Sequence, residues 1–98
     1  MLVKIHSSYR PIIAICDSDL IGKNFEEGKR CIHVNPNFFQ GEEKNDKEIM
    51  RIIEKGSEED YTFNIVGKRA VELALRAGII KSEGIIHIQG VPIALVLL

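Results

Sequence analysis

The side chains best suited to chemistry fall in three short stretches. Cys16-Asp17 closes an apolar run, and a thiol in such a place can act as a nucleophile when a base lies near. The adjoining carboxylate works against that role, because negative charge disfavours the thiolate, and no Cys-His motif accompanies the pair. A packing cysteine followed by a capping or turn aspartate accounts for the same two residues. Cys31 and His33 alternate on one strand and so share a face. With His6, His87 or Cys16 they would supply zinc-type ligands. The spacing is only Cys-x-His, without paired ligands, so no metal is assigned.

The third stretch is Asn64-Ile65-Val66-Gly67-Lys68-Arg69. A glycine opening a helix lets backbone N–H groups approach an anion, and the helix dipole favours negative charge there. Asn64, Gly67, Lys68 and Arg69 are therefore the candidate anion or phosphate contact. Neither the G-x-x-x-x-G-K-S/T phosphate loop nor G-x-G-x-x-G is present. The plainer explanation is a glycine that relieves crowding, followed by two ordinary helix-surface cations.

These residues need elements to position them. Leu2–His6 and Ile12–Cys16, separated by serine and proline turn chemistry, read as a β-hairpin. The unbroken run Ile12-Ile13-Ala14-Ile15-Cys16 suits a strand covered on both faces. Leu20 to Gly28 reads as a turn or short helix. A third strand is expected at Arg30–Val34, and Phe38-Phe39 should plug the edge of the core before Gly41. Ile49, Ile52 and Ile53 make a helical stripe from about Lys47 to Lys55, with Asn45 or Asp46 as cap, Glu48 as capping-box partner and Gly56 as stop. Tyr61–Val66 reads as a strand or packed loop. A second helix spans Lys68–Ala77, with Val71, Ala74 and Leu75 inward and Gly78 as its end. Ile85–Ile88 and Val91–Leu98 close the chain as strands, the last of them placed centrally by its apolar run. This order predicts one α+β (mixed α/β) domain over residues 1–98, with a small, largely antiparallel or mixed sheet and two main helices.

Charge and composition narrow the function. The net charge is −1, which excludes a strongly basic protein. Lys/Arg against Asp/Glu runs five to four over residues 1–41, four to eight over 42–60 and four to two over 61–98. A local basic patch is compatible with that distribution, whereas a whole-molecule field is not. Two cysteines do not make a disulfide framework. The first residues lack the apolar core of a signal peptide, and Val91–Leu98 is under half the ~20 residues a membrane span needs. A cytoplasmic protein without membrane attachment is expected.

Five segments, in order, carry a resemblance: Ala14-Ile15-Cys16-Asp17, Leu20-Ile21-Gly22-Lys23, Phe25-Glu26-Glu27-Gly28, Asn64-Ile65-Val66-Gly67 and Gly90-Val91-Pro92. The set resembles the family of small archaeal proteins called domain of unknown function 424, from Val3 to about Val96. The resemblance implies a small single-domain protein and brings no reaction with it. In that family the Gly-Val-Pro segment continues with His and Ala; here Ile93 takes the place of the His and Ala94 follows.

The resulting expectation is a non-enzymatic accessory or binding module associated with RNA or ribonucleoprotein. Lys68 and Arg69, with Arg10, Lys23, Lys29 and Arg30, are its cations, and no cofactor or catalytic residue is assigned. The alternative is a small-molecule-binding protein or enzyme with a pocket around Cys16, Asp17 and Asn64. A homodimer through the C-terminal strand is a further expectation, since an apolar strand at a sheet edge recruits a partner strand.

Overall fold

In a computed structural model, which describes residues 1–97, eight strands and three helices follow one another along the chain. The strands are β1 (Leu2–His6), β2 (Ile12–Cys16), β3 (Asn24–Glu27), β4 (Arg30–His33), β5 (Glu42–Glu43), β6 (Thr62–Val66), β7 (Ile86–Ile88) and β8 (Val91–Val96). The helices are α1 (Pro36–Phe39), α2 (Asp46–Glu58) and α3 (Lys68–Ala77). Six strands form one mixed sheet in the order β5-β1-β2-β6-β8-β7, and β3 pairs with β4 as a separate ribbon. The architecture is α+β, as the order of apolar runs predicts.

The expected hairpin of β1 and β2 is antiparallel, with Leu2 opposite Cys16 and His6 opposite Ile12. β6 lies parallel to β2, so Cys16 and Val66 end together at one end of the sheet. Alternation then divides the side chains. Ile13, Ile15, Phe63, Ile65 and Ala94 face α2 and α3 and form the larger core. Leu2, Ala14, Cys16 and Val66 face the other way, under Val34, Phe39, Ile32 and Phe25 from the ribbon and α1. β2 is thus covered on both faces, which is why it carries no polar residue.

The second layer is shorter than the sheet. It covers the end holding Leu2, Cys16 and Val66, where Ile88 of β7 is also buried. Towards the other end Thr62 and Asn64 are half-buried and Leu95 is exposed, while Ile86, level with Val66 but on the outermost strand, is exposed at the side of the sheet.

Four expectations need correction. Residues 20–28 contain a strand, β3, because Gly28 in the left-handed region (φ 64°) turns the chain back onto β4. The third strand, β4, joins this ribbon rather than the main sheet. Gly56 does not stop its helix: a Cβ there would lie 2.6 Å from Ile13 Cδ1 and 2.8 Å from the Phe63 ring. The glycine lets α2 approach the sheet, and the helix runs on to Glu58. Leu73, rather than Leu75, is the inward leucine of α3. Residue 75 lies about 100° beyond Ala74 around the helix, past the edge of the buried stripe. The capping box of Asn45 and Glu48 and the left-handed Gly78 end are as expected. β8 lies between β6 and β7 and is second from the edge. The expected strand includes Leu98, which lies outside the described residues.

Candidate functional site

Asp17 follows β2 and is 8% exposed. Its carboxylate accepts the Arg69 N–H at 3.1 Å and the Ala70 N–H at 2.9 Å. The side chain therefore caps α3, and its charge stands where the helix dipole favours an anion. Gly67 makes this arrangement fit twice over. Its φ of 113° belongs to glycine, and a Cβ there would lie 2.4 Å from Asp17 Cγ.

The helix start is thus occupied from within. Arg69 is engaged at its other end too, with its guanidinium 2.7 Å from Asp46 Oδ1. Lys68 lines a hollow of about 280 Å³ with Asp17, Asp19, Gln89 and Pro92. Glu43 is close by: it accepts a hydrogen bond from Ser18 Oγ at 2.5 Å and pairs with the Met1 ammonium. Those two donors, the ammonium first, hold the Glu43 carboxyl below its ordinary range. The end of the sheet that holds Gly67 is consequently rich in carboxylates. Arg10 stands at the opposite end of β2, roughly 15 Å away by strand geometry. One face uniting Arg10 with Lys68 and Arg69 does not form.

Cys16 is fully buried. Burial, then the Asp17 charge, pushes its thiol up to about 12. A neutral thiol packed among Leu2, Ala14 and Val66 serves the core. Cys31 is exposed on β4. His6 is committed elsewhere: its Nε2 lies 2.9 Å from the Phe38 carbonyl and its ring stacks on Phe38 with centroids 4.5 Å apart. Among the described residues no group of three or more His, Cys, Asp or Glu side chains converges as a metal site.

Asn64 takes a different position from the other candidates. β6 alternation turns it away from α3, onto the face shared with Ala14 and Leu95. There it borders a groove of about 360 Å³ between the sheet and the second layer. Ile32 and His33 of β4, Phe38 of α1 and Ile93 of β8 supply the walls, and Asn35 and Asn64 the amides. Asn35 Oδ1 already accepts the Asn37 N–H at 2.9 Å. The Asn64 carboxamide makes no hydrogen bond among the described residues. Lys23, Lys29 and Arg30 are exposed on and beside the same ribbon, and carry no ion pair among the described residues.

A wider hollow, about 470 Å³, lies at the β1–β2 turn between Tyr9, Arg10, Pro11, Asp60 and Thr62. Its walls are mostly turn residues, and Tyr9 is almost wholly exposed. The Asn64 groove is smaller but built on strands and a helix, which hold side chains in place more firmly. Sequence reading missed its walls because they come from three separated stretches, 32–39, 64–66 and residue 93. The adjacent signals were Phe38-Phe39 and the apolar residue at 93.

A family model described as a protein of unknown function (DUF424) matches residues 5–98. Among solved structures, an uncharacterized conserved protein from Methanopyrus kandleri is similar, with a TM-score of 0.81 and 25% sequence identity. That likeness covers 98% of this chain and 90% of the other. No curated protein matches.

Proposed function

The chain belongs to the family of proteins of unknown function 424, and on that premise we propose a non-enzymatic accessory module that contacts RNA or ribonucleoprotein. The observation that carries this reading is the groove at Asn64: largely apolar walls, a carboxamide at its border with no hydrogen bond among the described residues, and a ribbon bearing Lys23, Lys29 and Arg30 beside it. Proteins that read single-stranded RNA combine those elements, placing unstacked bases on apolar or aromatic surface, reading their edges with amides, and neutralising phosphates with Lys and Arg. The reading moves the phosphate contact from the start of α3 to the ribbon, because Asp17 already takes two of the helix N–H groups.

Fluorescence anisotropy with a short single-stranded RNA tests it. Affinity should fall steeply as salt rises, by about 0.7 log units per log unit of salt for each phosphate contacted. Lys29→Ala and Arg30→Ala should flatten that slope, while Asn64→Ala should weaken binding and leave the slope unchanged. Absence of binding at low salt sinks the RNA reading.

A small-molecule ligand is the second reading, favoured by the groove volume of about 360 Å³, which falls within the range of ligand pockets. Its pocket would centre on Asn64, since Cys16 is buried in the core and Asp17 caps α3. A metabolite that raises the melting temperature of the protein but not of Asn64→Ala would support it.

A further inference from the structure

The two edges of the main sheet differ in chemistry. At one, β5 and the outer part of β1 present Glu42, Glu43 and Lys4. Charged side chains of this kind are how natural sheets discourage a second strand from pairing. At the other, β8 reads Val-Pro-Ile-Ala-Leu-Val without a charge. β7 covers only its first half, pairing Ile86 with Ile93, His87 with Pro92 and Ile88 with Val91. Before Ile86 the chain leaves the sheet: the Ile85 N–H bonds to Ser82 O in a turn, and Ile85 packs into the helix-side core.

The direction of the exposed backbone follows from alternation. The Pro92 carbonyl accepts the Gly67 N–H, so Pro92 is turned towards β6. Ala94 and Val96 share that direction, and Ile93 and Leu95 point the opposite way. The N–H and C=O of Leu95 therefore face outward, past the last pair with β7. Beside them, Ile86 is 44%, Leu95 53% and Leu97 72% exposed. Ile86 and Leu95 lie on one face, since Ile86 is opposite Ile93.

We infer that this edge is the dimer interface of the protein, in which β8 pairs antiparallel with β8 of a second copy. The second copy is selected by charge. A two-fold axis sets each strand against its own duplicate, which places like charges together on any charged strand. Val91–Val96 has none to oppose, whereas an axis at Lys4 or Glu42 would pair lysine or glutamate with itself. The position of β7 sets the register. Ile86 already stands beside Ile93, so the incoming strand must keep to the other half, with the axis by Val96 and each Leu95 across from the partner's Leu97. The outward N–H and C=O groups of those residues then bond across the axis. Each Leu95 then buries against the partner's Leu97, and Ile86 lies in line with the incoming strand, next to the partner's Leu97.

The test is the solution mass of the full chain over a wide concentration range, by light scattering and sedimentation. The chain of 11.0 kDa should move to twice that mass as concentration rises. Leu95→Lys and Leu97→Lys, each checked for an unchanged circular dichroism spectrum, should hold it at monomer mass. The double variant Leu95→Lys, Leu97→Glu sets opposite charges across both contacts in this register and should dimerise again. Leu75→Lys, on the exposed side of α3, should leave the dimer intact. A native chain that stays monomeric at all concentrations, single variants that still dimerise, or a double variant that does not recover would each overturn the inference.

Discussion

Asp17 and Gly67 hold the α3 start together, and each should be costly to change. Asp17→Ala leaves the Arg69 and Ala70 N–H groups uncapped and should lower stability by about 1–2 kcal/mol, read as a lower midpoint in urea. Gly67→Ala combines a glycine-only φ with a collision against Asp17, and should cost at least as much. At the cysteines, Cys31 should react with a thiol reagent in the native protein and Cys16 only on unfolding. The Cys16 thiol ionises at about 12 in the folded chain against 9.0 for the ordinary thiol. The unfolded state thus releases its proton first. The Cys16 contribution is fully present below about pH 9 and is lost as pH rises from there towards 12. Stability of the native protein should fall faster over that window than stability of Cys16→Ala; parallel curves would contradict this. A packing cysteine and a capping aspartate are legible from residue type and neighbours. Which helix Asp17 caps is not, because the N–H groups it accepts lie 52 and 53 residues later in the chain.

At the scale of the element, periodicity carries most of the information. Asn45, Glu48 and the isoleucines of α2, and Gly78 at the end of α3, are local signals, and the sequence positions of these features match the helices. Gly56 and Leu75 mislead for opposite reasons. A glycine late in a helix looks like a stop unless the side chains packed on it are known: Phe63 from the next strand and, much earlier in the chain, Ile13. Leu75 looks inward by hydrophobicity, although the helix angle turns it out. Gly56→Ala should destabilise by about 1–3 kcal/mol through overpacking against the sheet. Leu73→Ala should cost about 2–5 kcal/mol, while Leu75→Ala should stay within about 0.5 kcal/mol. Thermal and urea unfolding of the three variants separates the two leucines directly. The ribbon of β3 and β4 was the least legible part. Its strands carry Asn, Glu and Arg at exposed positions, and only the turn at Gly28 shows that they pair.

Across the whole molecule, two layers of unequal length define the accessible surface. α2 and α3 fill one face of the sheet, while the ribbon and α1 cover part of the other and leave a groove where they stop. No helix among the described residues is long and apolar enough to cross a membrane. The candidate residues named from sequence separate in the fold. Asp17, Gly67 and Arg69 build a helix cap, Cys16 belongs to the core, and Asn64 borders the groove with His33 in its wall. The sequence shows each of these residue types plainly; it does not show that β6 turns Asn64 away from the Gly67 helix start. The proposed function therefore rests on Asn64 and the ribbon, and residue-by-residue NMR shift mapping of the labelled protein with a short single-stranded RNA tests it most directly. Shifts should concentrate at Lys29, Arg30, Ile32, His33, Asn64 and Ile93. Shifts confined to Gly67–Ala70, or a spectrum unchanged by RNA at low salt, would contradict it.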